Sequence, residues 1–204
     1  MIIGKWNKSV ILTYIGLALS ILGIYLSFQG EILYALSCLI VAGICDLFDG
    51  TVARMCKRTK EEKEFGIQLD SLVDVVNFLV FPIIIYINIG LDKWYFVLLY
   101  ILYALCGVVR LAYFNITLEE ENKDKAIKYY HGLPVTYAAL LIPLLYLISY
   151  VISSNIHTIY FSIIMLIISI LFVSNIHIKK PTLKVYPVFV ILAIIVLILF
   201  LGVL

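Results

Sequence analysis

The chain has 204 residues, of which 64% are hydrophobic and 14% are charged, with a formal net charge of +2. Soluble domains are typically about 45–50% apolar and about 25% charged, so this composition excludes a water-soluble globular protein, a disordered protein and a nucleic-acid binder built on a basic surface. The mean hydropathy of +1.10 comes from long apolar runs separated by short charged segments, which is typical of an all-α, polytopic transmembrane bundle.

Seven apolar runs are long enough to be transmembrane helices, since a helix needs roughly 20 apolar residues to cross a hydrocarbon core of about 30 Å. In chain order they are residues 10–28, 31–53, 66–90, 94–116, 132–152, 156–177 and 185–203. Pro82 and Pro143 lie inside two of the runs, and a break at either would change the count to six or eight. The runs fill most of the chain, which predicts a single integral-membrane domain, residues 1–204.

The Lys and Arg residues predict the orientation of the bundle. If the N-terminus is cytoplasmic, 14 of the 15 Lys and Arg residues fall in cytoplasmic segments, and only Lys93 lies on the opposite side. This asymmetry follows the positive-inside rule. We therefore predict a cell-membrane protein with its N-terminus and active site on the cytoplasmic side, where the long charged loops 54–65 and 117–131 lie. Lysines of the second loop are expected to meet anionic headgroups: Lys123, Lys125 and Lys128.

Four aspartates lie in or at the ends of apolar runs, where ionisable side chains are costly and indicate a function: Asp46, Asp49, Asp70 and Asp74. At 100° per residue, Asp46 and Asp49 fall on one narrow face of the second helix. Gly50 and Ala53 share that face, and Arg54 lies at its edge. On the third helix one face likewise carries, at spacings of four and seven, Gly66, Asp70, Asp74 and Asn77.

One cytoplasmic loop joins these two helices, so the four carboxylates are expected at one depth, near the cytoplasmic edge of the membrane. They could be solvated residues at helix ends. If they are close together, they must be protonated, paired with Arg or Lys, or bound to divalent cations. Only Arg54 is well placed as a charge partner, which favours metal, and oxygen-only ligands favour Mg²⁺, Mn²⁺ or Ca²⁺. Two such ions about 4 Å apart would suit phosphoryl transfer.

The spacing Asp46-x2-Asp49-Gly50-x2-Ala53-Arg54, followed by Gly66-x3-Asp70-x3-Asp74, resembles the signature of the CDP-alcohol phosphatidyltransferase family. The loop 55–65 has eleven residues, whereas the family usually has eight or nine. The segments 70–74, 110–115 and 132–134 are similar to the phosphatidylserine synthase branch of the family. The likeness runs from residue 7 to 145, and the last two helices carry no motif.

The resemblance implies a homodimeric membrane bundle with a polar cavity open to the cytoplasm, in which an alcohol displaces CMP from a CDP-linked lipid. For this branch the donor would be CDP-diacylglycerol, the acceptor L-serine and the product phosphatidylserine. Asp46, Asp49 and Asp70 would bind a first metal ion, and Asp70 with Asp74 would help to hold a second. Mn²⁺ or Mg²⁺ is expected, and Ca²⁺ could occupy the site. Asp74 would be the general base for the serine hydroxyl.

The resemblance also implies where the two substrates bind. The donor's cytidine and phosphates would be contacted by Thr13, Asp49, Gly50, Ala53, Arg54, Thr59 and Gly66. The acceptor pocket is expected to include Arg110, Asn115 and His131. Because Arg110 lies within an apolar span, it needs an anion nearby, which could be a substrate carboxylate, a lipid phosphate or one of the four aspartates.

Three other functions are alternatives to this one. A sister enzyme acting on inositol phosphate or glycerol phosphate would need several basic residues, whereas Arg110 is the only intramembrane cation beyond Arg54. An archaeal ether-lipid donor is also compatible with the sequence, because the protein would contact the lipid tails only through an apolar groove. A cation transporter is the remote alternative, because transporter sites usually lie near the midplane between repeated halves and this chain has no repeat.

Overall fold

The computed structural model describes residues 4–5, 7–121, 129–152, 156–179 and 185–202; the expected headgroup contacts Lys123, Lys125 and Lys128 lie outside them. The helices in chain order are α1 (Ile11–Phe28), α2 (Ile32–Met55), α3 (Lys60–Asp74), α4 (Phe81–Asn88), α5 (Val97–Glu121), α6 (Ala138–Ser149), α7 (His157–Val173) and α8 (Tyr186–Gly202). A π-helical segment, Val75–Val80, joins α3 and α4 into one continuous helix. Each of the seven apolar runs contains a helix, which confirms the helical-bundle prediction.

Among the described residues, four helices are long and apolar enough to cross a membrane: Lys8–Phe28, Ile32–Met55, Lys60–Asn88 and Trp94–Thr117. Three further apolar helices are shorter: Val135–Ser149, His157–Val173 and Tyr186–Gly202. At 1.5 Å per residue, a 17-residue helix such as α7 reaches roughly 25 Å, slightly less than a hydrocarbon core of about 30 Å. The seven spans and the orientation therefore stay predictions, while an integral-membrane protein is well supported.

The third membrane helix continues through Pro82, where the sequence allowed a break. Proline has no N–H to donate, so a carbonyl one turn before it loses its helical partner. The hydroxyl of Tyr103 on α5 donates to the carbonyl of Phe78 at 2.9 Å, which supplies the missing hydrogen bond from a neighbouring helix. Helix α6 likewise continues through Pro143. Neither proline changes the number of helices.

Small residues bring the helices close together, as is common in membrane bundles. A Cβ added at Gly43 on α2 would lie 2.5 Å from the Cβ of Ala139 on α6. On α5, Gly107 leaves the space that the side chain of Leu79 fills. The largest side chains of the core around these contacts are Phe78, Phe81, Tyr86, Tyr103, Phe172 and Phe200.

Neighbouring helices run in opposite directions, so one end of the bundle collects the start of α1, the end of α2 and the start of α3. Thr13, near the start of α1, hydrogen-bonds Asp49 near the end of α2. Ser27 and Asn88, at the other ends of α1 and α4, hydrogen-bond each other at 2.8 Å. We call the end that contains Asp49 the carboxylate end.

A short antiparallel ribbon at the carboxylate end was not predicted from the sequence. Strand β1 (Tyr129–His131) pairs with β2 (His177–Lys179), with His131 opposite His177. Three-residue strands are too short to show a strand periodicity in the sequence. The ribbon joins the α5–α6 connection to the α7–α8 connection.

Candidate active site

Three aspartates meet at the carboxylate end. One carboxylate oxygen from each of Asp46, Asp49 and Asp70 lies within 4.8 Å of the other two. Asp74 lies one turn farther along α3 and its carboxyl group faces that of Asp46, while Asp49 faces Asp70. The structure therefore brings together all four aspartates that the sequence placed on two helix faces.

The start of α3 is fixed by a capping box. The hydroxyl of Thr59 accepts a hydrogen bond from the Glu62 N–H at 3.2 Å, and the Glu62 carboxylate accepts one from the Thr59 N–H at 2.7 Å. Such a box satisfies two donors that the first helical turn leaves free. Lys5 also pairs with Glu61 at 2.6 Å, although this exposed pair adds little stability. Thr59 thus serves the helix start, and its contact with a nucleotide stays a prediction.

A cavity of about 250 Å³ opens beside the aspartates, and we call it the carboxylate cavity. Its walls come from α2, α3, α5, the turn before α6 and the start of α8. Eight predicted site residues line it: Asp46, Asp49, Gly50, Arg54, Asp70, Asp74, Arg110 and Asn115. Its other polar lining residues are Thr51, Ser71, Thr136, Tyr137 and Tyr186. Residues predicted to bind the lipid donor and residues predicted to bind the acceptor alcohol therefore line one cavity.

Two threonine hydroxyls orient the carboxylates. Thr13 on α1 donates to Asp49 at 3.2 Å, and Thr136 donates to Asp46 at 2.8 Å. Hydrogen bonds of this kind hold metal-binding side chains in one orientation. Thr13 was predicted to contact the nucleotide, but it is buried behind Asp49 and does not line the cavity. Thr136 was not predicted from the sequence, although it lies two residues after the motif that ends at Pro134.

The remaining residues predicted to contact the CDP-linked lipid lie at different distances from the carboxylate cavity. A Cβ added at Gly50 would meet no atom within 4 Å, so this face of α2 is open. The exposed Arg54 lies at the rim of the cavity, where its guanidinium donates to Thr51 at 3.1 Å. Ala53 and Gly66 are half-buried and lie outside the cavity lining. Contact of these two residues with the donor stays a prediction.

Two of the three predicted acceptor residues, Arg110 and Asn115, line the carboxylate cavity. Arg110 on α5 is buried and its charge acts on Asp46 across the cavity. Asn115 donates to the hydroxyl of Ser71 at 2.8 Å, which links α5 to α3. Ser71 was not among the predicted site residues. His131 lies in β1, and its contact with the acceptor stays a prediction.

The aspartate cluster fits a hard divalent cation. Metal–oxygen distances for Mg²⁺ and Ca²⁺ are about 2.0–2.6 Å, so two oxygens on one ion lie at most about 5 Å apart. The oxygens of Asp46, Asp49 and Asp70 meet that limit. A donor set made only of carboxylate oxygens suits Mg²⁺, Mn²⁺ or Ca²⁺ better than softer metals. Ionised carboxylates at such distances repel one another, and a cation among them removes that repulsion.

Known proteins share this sequence pattern. A family model described as CDP-alcohol phosphatidyltransferase matches residues 6–174. The chain is 39% identical over 112 residues to the CDP-diacylglycerol--serine O-phosphatidyltransferase of Saccharomyces cerevisiae, a match that covers 52% of this chain and 40% of the yeast protein. It is 34% identical over 157 residues to the archaetidylserine synthase of Methanothermobacter thermautotrophicus, covering 76% of this chain and 62% of that relative.

A third relative, the CDP-diacylglycerol--serine O-phosphatidyltransferase of Helicobacter pylori, is 34% identical over 151 residues, covering 71% of this chain and 60% of its own length. The chain thus matches between 40% and 62% of the length of these three relatives. The family match extends over both aspartate-bearing helices and continues to the end of α7. The chain therefore belongs to the CDP-alcohol phosphatidyltransferase family.

Proposed function

We propose that the protein transfers the phosphatidyl group of CDP-diacylglycerol to L-serine, producing phosphatidylserine and CMP. The observation that carries this proposal is the carboxylate cavity, in which four aspartates of the family signature lie beside the buried Arg110. Two of the relatives described above are named for transfer to serine from this donor, which supports the choice of acceptor. We further propose that the protein works as a homodimer in the cell membrane, with the cavity facing the cytoplasm.

The aspartates are proposed to hold Mn²⁺ or Mg²⁺, one ion between Asp46, Asp49 and Asp70 and a second beside Asp70 and Asp74. When bound, such ions offset the charge of the donor's pyrophosphate and of the departing CMP. The protein holds these carboxylates in place. The Thr136 hydroxyl, for example, donates a hydrogen bond to Asp46 at 2.8 Å.

The reaction needs a base, and Asp74 is the proposed one. Its buried carboxylate lines the cavity and would take the proton of the serine hydroxyl as that oxygen bonds to the phosphorus that carries diacylglycerol. The bond from this phosphorus to the bridging oxygen then breaks, and CMP leaves with the electron pair. Arg54 at the rim can donate two parallel hydrogen bonds to phosphate oxygens. The open face at Gly50 leaves room for the nucleotide.

A lipid-linked donor also fits the surroundings of the carboxylate cavity. An apolar cavity of about 110 Å³ adjoins it between α2, α6 and α8, and the two share Leu47, Thr136 and Tyr137. A donor with a charged head and an apolar tail could fill both at once, because each cavity matches one part of the molecule. We therefore propose that part of a lipid tail lies in the apolar cavity.

The second candidate donor is the corresponding CDP-activated archaeal ether lipid. The match to an archaetidylserine synthase over 76% of this chain favours it. The residues of the apolar cavity would contact the tail and not its linkage to glycerol, so both donors are compatible with the same walls.

The decisive test combines purified protein, Mn²⁺ and either donor with a panel of alcohols, and follows CMP release. We expect release with L-serine, loss of activity with EDTA and recovery when Mn²⁺ or Mg²⁺ is added back. Release only with inositol phosphate or glycerol phosphate would identify a sister activity instead. No release with any donor and alcohol, in a preparation that binds CDP-diacylglycerol, would contradict the enzymatic proposal. Activity in the presence of EDTA would contradict the metal site.

A further inference from the structure

The carboxylate cavity and the apolar cavity meet at a boundary that is lined by Leu47, Thr136 and Tyr137. Leu47 has no polar group in its side chain, and the Thr136 hydroxyl is already engaged, because it donates to Asp46 at 2.8 Å. In the part of the chain that the structure describes, the Tyr137 hydroxyl takes part in no hydrogen bond. The polar side-chain group that this boundary offers to a ligand is therefore the phenol of Tyr137.

The two ends of the Tyr137 side chain have different surroundings. Its ring lies beside the ring of Phe189 on α8, with the centroids 5.6 Å apart, and Phe189 lines the apolar cavity. Arg110 and Tyr186 act electrostatically on its hydroxyl, and both of them line the carboxylate cavity. A tyrosine suits such a boundary, because its ring is apolar while its hydroxyl needs a polar partner. The ring thus faces the apolar cavity, and the hydroxyl faces the carboxylate cavity.

A CDP-linked lipid that fills both cavities places one particular group at their boundary. Under the proposed function its pyrophosphate lies at the aspartates, and part of its tail lies in the apolar cavity. The phosphate that carries diacylglycerol is the charged group nearest to the tail, and it is also the group that the proposed reaction transfers. This transferred phosphate is therefore expected beside Tyr137, the residue that follows Thr136 in the chain.

We propose that the Tyr137 hydroxyl donates a hydrogen bond to a non-bridging oxygen of the transferred phosphate and so holds the phosphorus in position for attack. This inference rests on the proposed function and adds a residue to its chemistry. A hydrogen bond to an anionic oxygen is stronger than one between neutral groups, which favours the phosphate over the oxygens that link the tails to glycerol. Phosphoryl transfer depends largely on positioning and electrostatic stabilisation, so a fixed hydrogen-bond donor beside the phosphorus raises the rate.

Replacing Tyr137 by Phe removes the hydroxyl and keeps the ring that packs beside Phe189. At saturating CDP-linked lipid, we expect the kcat for CMP release with L-serine to fall about ten-fold or more. The KM for L-serine should stay within about two-fold of the parent. Because both candidate donors carry the same phosphate, the fall should be the same with ester-linked and with ether-linked tails.

Tyr146→Phe is the matched control. Tyr146 lies on α6, its ring also contacts a phenylalanine of α8, Phe200, at 6.4 Å between centroids, and it lines neither cavity. This variant should keep kcat within about two-fold of the parent. Thermal stabilisation by CDP-diacylglycerol and Mg²⁺ shows that each variant is folded and binds the donor.

A measurement without acceptor tests the same contact in the absence of turnover. In the complex with CDP-diacylglycerol and Mg²⁺, phosphorus NMR resolves the phosphorus that carries diacylglycerol from the phosphorus that belongs to CMP. We expect Tyr137→Phe to shift the first resonance more than the second. Equal shifts of both resonances, or no shift, would contradict the proposed contact.

The results separate this inference from the proposed function. If the kcat of Tyr137→Phe falls by less than about ten-fold in protein that is stabilised by the donor, the inference is wrong. A higher KM for L-serine would place the hydroxyl at the acceptor, and an effect on the ester-linked donor alone would place it at the tail linkage; each result overturns the inference. If the unmodified protein releases no CMP with L-serine, the proposed function fails, and the phosphorus resonances still decide whether Tyr137 contacts the donor.

Discussion

Replacing Thr136 by Val tests whether the cavity is built to hold a cation. Valine has nearly the same shape, so the change removes one hydrogen bond, the 2.8 Å bond from the Thr136 hydroxyl to Asp46. A hydrogen bond to a charged group contributes about 1.5–3 kcal/mol. Loss of a group that supports a metal ligand typically weakens metal binding about 10- to 100-fold. We therefore expect the Mn²⁺ concentration for half-maximal activity to rise by that factor.

The assay titrates Mn²⁺ into metal-free protein and measures both CMP release and heat of binding, so that the affinity is known independently of turnover. Thr117→Val is the control, because that hydroxyl donates to the Tyr113 carbonyl of its own helix at 2.9 Å and not to one of the four aspartates. An Mn²⁺ affinity that stays within about two-fold of the parent in Thr136→Val would refute the role given to this hydrogen bond.

Three further predictions concern the base, the tail and the fold. Asp74→Asn should abolish CMP release while donor binding, measured by thermal stabilisation, persists; substantial residual turnover would remove Asp74 as the base. Val190→Trp narrows the apolar cavity and should raise the KM for a donor with long acyl chains but not for a donor with short ones. Val188→Trp, at a residue outside that cavity, should change neither KM. Equal effects of Val190→Trp on the two KM values would contradict the tail assignment. Gly132→Ala should lower the unfolding temperature, because φ is +77° and the new Cβ would lie 2.5 Å from the Phe172 carbonyl oxygen; an unchanged temperature would contradict that contact.

The aspartate cluster is a part of the site that could be predicted from the sequence alone. The spacing of Asp46 and Asp49 on one helix and of Asp70 and Asp74 on the next placed each pair on one face. The single cytoplasmic loop between the helices brought the two pairs to the same depth. The structure agrees, with oxygens from three of the four within 4.8 Å of one another. Helical periodicity is a local property, and therefore it could be read without knowing the fold.

Other parts of the site could not be found in this way. Thr136 is 90 residues from the aspartate that it contacts, and Ser71 and Tyr186 enter the cavity only because α3 and α8 pack beside α5 and α2. Their residue types give no signal, since Ser, Thr and Tyr are common in membrane helices. The ribbon of β1 and β2 was missed for a related reason, because its pairing is between distant segments.

The amino-acid sequence by itself determined the class of protein, the apolar helices and the two acidic faces, since these follow from composition and from the period of a single helix. Tertiary packing decided which hydroxyls hold the aspartates, how the continuous helix passes Pro82, and that Arg110 lines the same cavity as the aspartates. These features depend on which helices lie side by side, and in a bundle that choice is made by the fit of many side chains and not by any local pattern.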